Sequence, residues 1–326
     1  MDRRAFIGTL AGGLLAAPRA VEAQAAGKVW RVAVLTGGLP RSAAPVRALE
    51  QRLADLGYVE GRNLAIDFQS AGGQNDRLPA LAGELVQGRP DVLVAFSTQS
   101  ALAAKNATQT IPIVLGAVGD PVGSGIVPSL GRPGGNITGA SLLNAELSAK
   151  GLQLLKEAVP AASRVAVLWN SGNRLHREVR GASEAAAPAM KVLLQFVDVR
   201  GLDDLPRAFD AITQQRADAL LVFPDNVTLA HRKPILDYTT RRRLPTMYPF
   251  REMVEEGGLM CYGPNLIESF RAAAGYVDKI LKGAKVGDLP IAQATKFDLV
   301  INLKTAQALG LTIPPSLSQR ADQVIE

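Results

Sequence analysis

Cysteine is nearly missing from this chain of 326 residues, and Cys261 stands alone. One cysteine excludes an internal disulfide and every multi-cysteine metal site. Histidine is almost as scarce, with His176 and His231 the only two, so metal chemistry has little to build on and no cofactor is expected. Aromatic residues make up 5% of the sequence, and the net charge of +6 is spread thinly, with Arg241-Arg242-Arg243 the single basic triplet. A nucleic-acid surface needs a basic stripe with interleaved aromatics. That stripe and a helix-turn-helix head are both lacking, so nucleic acid is not an expected partner. The sequence also lacks a G-x-S-x-G elbow, a P-loop and a G-x-G-x-x-G fingerprint, which removes the common nucleophile and phosphate-binding turns.

What is present begins with a leader. Asp2-Arg3-Arg4-Ala5-Phe6-Ile7 sets a twin arginine before the apolar stretch Ala5–Ala17, and small residues follow in Val21-Glu22-Ala23 and Ala23-Gln24-Ala25. A charged start, a short apolar segment and an A-x-A type cleavage site read as an export signal over residues 1–25, too short for a bilayer anchor. Gly8 replaces the lysine usual in twin-arginine signals, so the general secretory route stays open. No cysteine lies near the cleavage region, and the expected product is a soluble, periplasmic protein without a lipid anchor.

From Val29 onward, apolar strand runs alternate with helical patterns, the signature of βαβ units and a mostly parallel sheet. Trp30–Leu35, Asn63–Phe68, Val92–Phe96 and Ile111–Leu115 read as strands, with helices at Pro45–Leu56 and Arg77–Gln87. The pattern then restarts. Arg164-Val165-Ala166-Val167-Leu168-Trp169 echoes Trp30–Leu35, and Ala217–Phe223 echoes Pro90–Phe96, a spacing of roughly 130 residues and far too long for a solenoid. The expected fold is α/β with two doubly wound parallel-sheet lobes. Residues 26–140 with about 250–285 form the first, and about 141–249 the second, to which about 286–326 is added as a segment that fits either lobe. Chain that returns after both lobes suggests several crossovers, hence a multi-segment hinge.

Ligands of such sheets gather at the carboxyl ends of the strands. In the first lobe those ends carry Thr36, Gly37, Ser97, Thr98 and Asp120, and in the second Asn170 and Asp225. Ser97-Thr98 opens a helix directly after a buried strand. It reads either as an ordinary cap or as an anion receptor built from the free N–H groups and positive dipole end of the first turn. Gly37-Gly38 also fits a tight turn, Asp120-Pro121 a helix start and Asn170 an Asx turn. Tyr248 is placed either against an aromatic ligand or in the hinge, and Tyr262 in the hinge. Cys261 continues an apolar strand as an inert thiol, while His176 and His231 are expected on solvated helix faces. A carboxylate-pair enzyme using Asp120 with Asp225 is not excluded by spacing.

Gly-Asp-Pro-Val-Gly-Ser-Gly after the fourth strand, Tyr-Pro-Phe-Arg-Glu before Glu-Gly-Gly-Leu-Met-Cys-Tyr-Gly-Pro-Asn, and the ending Phe-Asp-Leu-Val-Ile-Asn-Leu-Lys-Thr-Ala-Gln-Ala-Leu-Gly-Leu-Thr-Ile-Pro-Pro-Ser-Leu carry a family likeness. They resemble the ABC-transporter substrate-binding proteins of the branch that includes tryptophan and tyrosine binders. The resemblance implies a type I periplasmic binding protein fold with a three-segment hinge, and a monomer that hands its solute to a permease driven by a cytoplasmic ATPase. By it, Ser97-Thr98 would take a ligand carboxylate beside Thr36 and Gly37, while Asn170 and Asp225 close over from the second lobe. Other outcomes for the same architecture are a periplasmic enzyme acting through Asp120 or Asp225, and a sensor subunit for a membrane kinase.

Overall fold

A computed structural model describes residues 28–142, 144–294 and 297–326, so the leader reading lies outside the described residues. In chain order its strands are β1 (Trp30–Thr36), β2 (Leu64–Ser70), β3 (Val92–Phe96), β4 (Ile113–Gly119), β5 (Ile137–Leu142), β6 (Arg164–Trp169), β7 (Leu193–Asp198), β8 (Ala219–Val222), β9 (Thr246–Tyr248), β10 (Met260–Pro264), β11 (Ala292–Gln293), β12 (Phe297–Asn302) and β13 (Gln323–Ile325). They form two sheets, β11-β5-β4-β3-β1-β2 and β13-β12-β10-β9-β8-β6-β7. Every pairing is parallel except β10 with β12.

Strand sequences such as VLVAF are apolar at every position because helices cover both faces of each sheet. Side chains alternate across the pleat: Val32, Val34 and Phe96 enter one core cluster of the first sheet, and Ala33, Leu35 and Ala95 the other. The second sheet divides in the same way, with Val165 and Val167 on one face and Ala166 and Leu168 on the opposite one.

The sequence echo is a physical repeat. Asp91 at the start of β3 accepts the N–H of Arg31 at 2.8 Å and donates its own N–H to Arg31 O at 2.8 Å. Asp218, before β8, does the same with Arg164, at 2.9 and 2.8 Å, and also takes the N–H and hydroxyl of Ser163. Partial burial raises the Asp218 pKa, but these donors outweigh it and hold the carboxyl at about 2. One aspartate in each lobe thus ties neighbouring parallel strands together, β1 with β3 and β6 with β8.

The chain passes between the sheets at three places: after β5, after β10 and between β11 and β12. This differs in detail from the boundaries read in the sequence. Strand β10 falls in the segment assigned to the first lobe, yet it pairs with β9 and β12 of the second sheet. Strand β11 falls in the segment added to the second lobe as fitting either, and it pairs with β5 of the first. The cause lies at Pro264-Asn265. Asn265 caps the helix Leu266–Leu281, accepting the Glu268 N–H at 3.1 Å, and the stripe Leu266, Phe270, Ala273, Val277 turns that helix onto the first lobe. The Glu268 carboxylate goes to Arg271 instead of reaching back, so only the cap half of the expected capping box is made.

Two histidine placements also differ. His176 is fully buried, with Nδ1 accepting the Asn170 N–H and Nε2 facing Pro224 O, each at 3.0 Å. A histidine that satisfies two loop groups gains more inside than on a helix face. His231 is half-buried against Gly73 of the first lobe, and burial lowers its pKa. Cys261 is buried on β10, and its thiol is pushed well up by burial, which makes it inert.

Helix Arg251–Glu255 holds an uncompensated carboxyl. Both oxygens of Glu252 are buried without a hydrogen-bond partner among the described residues, and burial, reinforced by Glu255, raises its pKa from 4.5 to about 6. A carboxyl whose folded pKa is raised binds protons more tightly in the folded state. Stability therefore falls as pH rises from about 4.5 to 6. Glu252→Gln is expected to flatten that slope and to gain on the order of 1–2 kcal/mol at pH 7 relative to pH 4, measured by urea unfolding at both values. An unchanged slope would refute the assignment.

Candidate functional site

The carboxyl ends of both sheets converge on one cavity between the lobes. It contains about 600 Å³ of empty space, including its mouth, and lies among Thr36, Gly37, Ser97, Thr98, Gln99 and Gly119 of the first lobe and Asn173, Asp225 and Asn226 of the second. Beside this polar set stands a hydrocarbon wall formed by Leu39, Phe96, Leu229, Phe250, Leu266 and Phe270, all members of a single packed cluster. Phe96 and Phe270 stack face to face with ring centroids 3.3 Å apart. Gly116 of β4 makes room for them, since a Cβ there would lie 1.9 Å from the Phe96 ring.

On the first-lobe side, the helix Thr98–Ala107 starts with its hydroxyls already engaged. Ser97 Oγ accepts the Ser100 N–H at 3.2 Å and Ser97 O accepts that of Ala101 at 3.0 Å, which leaves the first-turn N–H groups of Thr98 and Gln99 at the cavity. Thr98 Oγ1 reaches Gly119 O at 3.4 Å. Gln99 adds a buried Nε2 with no hydrogen-bond partner among the described residues. Ser97 itself sits at φ 100°, a left-handed conformation costly for serine, so its placement is held by the surrounding structure. The cap and anion-receptor readings of this turn are compatible: the side chain serves as the cap, and the N–H groups are what remain for a ligand.

On the second-lobe side, Asp225 is 5% exposed and accepts three bonds: Asn170 Nδ2 at 3.1 Å, Asn173 Nδ2 at 2.9 Å and Val227 N at 2.9 Å. Its partners are all uncharged. The carboxylate is held in place by these dipoles at the cavity it lines.

Of the residues singled out in the sequence, Thr36, Gly37, Ser97, Thr98 and Asp225 line this cavity, whereas Asp120, Asn170 and Tyr248 do not. Asn170 lies one layer behind, orienting Asp225. Asp120 turns back on its own loop, accepting the N–H groups of Val122 and Gly123 at 3.2 and 2.9 Å, and faces a separate groove with Arg174, Arg177 and Glu178. Tyr248 is 1% exposed in the second lobe's core, its hydroxyl 2.7 Å from Thr239 Oγ1, and burial lifts its pKa to about 12. Asp120 and Asp225 thus do not share a cavity. The aromatic wall was missed in the sequence, because Phe96 ends a uniformly apolar strand and Phe270 belongs to a helical core stripe some 170 residues later.

Two lobes with cores of their own, joined by three crossings and facing each other across a cavity, have the type I periplasmic binding protein fold. Residues 40–325 match the family described as ABC transporter substrate binding protein, and the chain belongs to that family. Its members bind and present a solute and are not enzymes. The chain is 30% identical over 269 residues to a tyrosine-binding protein of Clostridioides difficile (strain R20291), covering 82% of this chain and 75% of that one. A structure from Streptococcus pneumonia in complex with L-Trp superposes with a TM-score of 0.83 at 26% identity, covering 91% of this chain and 99% of that one. The ligand-free, open structure of a substrate-binding protein with adhesive properties from Clostridium difficile gives 0.63 at 27% identity, with the same coverages. Among the described residues no helix is long and apolar enough to cross a membrane.

Phe270 joins the cavity wall to the core and is 1% exposed. Phe270→Ala is expected to destabilise the protein by about 3–5 kcal/mol, read from the midpoint of chemical unfolding. A loss under about 1 kcal/mol would mean that the stack with Phe96 is not a packing element.

Proposed function

We propose that this chain is the receptor of an ABC importer for an aromatic amino acid, working as a monomer in the periplasm after removal of its leader. The observation that carries the reading is the composition of one cavity: a stacked phenylalanine wall adjoins helix-start N–H groups on one lobe and a buried carboxylate on the other. A zwitterion with a flat apolar side chain has complementary groups. Its carboxylate fits the N–H groups of Thr98 and Gln99, its ammonium fits Asp225, and its ring fits the hydrocarbon wall. The names of the relatives, one a tyrosine-binding protein and one solved with L-Trp, support the same class.

Transport function follows from the division of the ligand's contacts between lobes. A ligand that touches both lobes binds the closed state more tightly than the open one and so shifts the population toward the form that a permease docks. Asn170 and His176 act behind the site, keeping Asp225 and its loop in position.

A thermal-shift screen of L-Trp, L-Tyr and L-Phe against L-Glu and ribose tests this directly. At a hundredfold excess over Kd, the correct ligand is expected to stabilise the fold by about 2.7 kcal/mol. Thr98→Pro, which removes one of these N–H groups at a first-turn position that suits proline, is expected to lose roughly tenfold in affinity for L-Trp while binding tryptamine, which has no carboxylate, as before. A response to ribose with none to the aromatic amino acids would overturn the proposal.

A further inference from the structure

Asn226 belongs to the second lobe, yet its side chain is bonded entirely to the first. Its Nδ2 lies 2.9 Å from Asn75 Oδ1, 3.1 Å from Ser97 Oγ and 3.3 Å from Gln99 Oε1, acceptors drawn from two separate segments. A side-chain amide has two hydrogens, so these three acceptors compete for a pair of bonds made directly from lobe to lobe. Asn226 is also seated on bare backbone. A Cβ at Gly37 would lie 2.0–2.4 Å from its amide atoms, and one at Gly38 would lie 2.6 Å from its carbonyl oxygen.

Neither Gly37 nor Gly38 is among the positive-φ glycines, so the backbone conformation there does not require glycine. The double glycine after β1 is needed for clearance, and what it clears is a residue of the opposite lobe. Ser97 is the shared point. The same Oγ that caps the helix Thr98–Ala107 accepts from Asn226, at the end of the cavity where the first-turn N–H groups lie.

We propose that Asn226 is the closing latch of this receptor, with Gly37 as its seat: it positions the two lobes around the ligand and sets how long the ligand is held. The latch rests on the reading of the cleft as the ligand site, but its bonds need no ligand. They are made only when the lobes meet, so the ligand-free protein samples the closed form. Two net hydrogen bonds correspond to roughly a ten- to hundredfold change in the closed-to-open ratio. Since opening precedes release, the same factor appears in the dissociation rate, while association to the open form is almost unchanged.

The test is an interlobe distance measured by spin labels at Arg62→Cys and Asp203→Cys, both exposed and on opposite lobes, with the native Cys261 buried and unreactive. Without ligand, the otherwise unaltered protein is expected to show a short-distance population that Asn226→Ala depletes roughly ten- to hundredfold. Gly37→Ala is expected to open the protein when Asn226 is present and to add nothing in the Asn226→Ala background, the signature of one contact rather than two independent defects. Matching distance distributions for Asn226→Ala and its parent would refute the latch. So would an equal effect of Gly37→Ala in both backgrounds, or a parent with no closed population. If instead the amino-acid reading is the one that fails, L-Trp, L-Tyr and L-Phe leave the distances unmoved while the ligand-free comparison still decides the latch. Where ligand does bind, stopped-flow release from Asn226→Ala is expected to quicken by the same factor with association within about threefold.

Discussion

Burying a parallel sheet on both faces leaves only its strand ends open. In this protein every strand of the first sheet's centre is packed above and below, so no face remains on which a solute could lie. The carboxyl ends carry the turns, and with them the backbone groups that no ladder satisfies. Setting two such sheets end to end makes one cavity of two half-sites. All else in the molecule, from the paired aspartates that tie neighbouring strands together to the three crossings of the chain, maintains that arrangement.

The half-sites differ in chemistry. The first lobe offers donors at a helix start and an aromatic wall, whereas the second offers a carboxylate held by neutral amides. Neither half alone encloses a solute. Binding strength therefore resides in closure, and closure depends on contacts between lobes as well as contacts with ligand. Ser97 is where these demands meet. A serine held at positive φ caps its helix, faces the cavity and receives the side chain of Asn226 from across the cleft.

Much of this was legible in the residues. Uniformly apolar runs separated by helical stretches dictated parallel sheets, and the recurrence of a Val-Ala-Val-Leu strand and of the run Pro90–Phe96 in Ala217–Phe223 marked the duplication. Ser97, Thr98 and Asp225 could be picked out because polar residues directly after buried strands must sit at strand ends. The cavity wall was not legible. A phenylalanine that lines a site and one that fills a core have the same sequence context, and Phe96 does both. Tyr248 shows the converse: an aromatic residue at a strand end fitted either a ligand platform or a hinge and is instead bonded to Thr239 inside the second lobe. Asp120 and Asn170 stood at strand ends as expected, but their side chains turned toward neighbouring N–H groups and Asp225, a choice made by loop geometry.

The sequence by itself determined the strands, the capped helix and the twofold architecture, because hydrophobic periodicity and capping act over a few residues and leave a local trace. Only the tertiary structure decided which polar residues face one another. Asn226 and Ser97 are 129 positions apart and Phe96 and Phe270 farther still, so their meeting depends on how two lobes are brought together by a chain that crosses three times. The double glycine records the difference. In the sequence Gly37-Gly38 fits any tight turn, and the structure shows that its lack of side chains makes room for a residue of the other lobe.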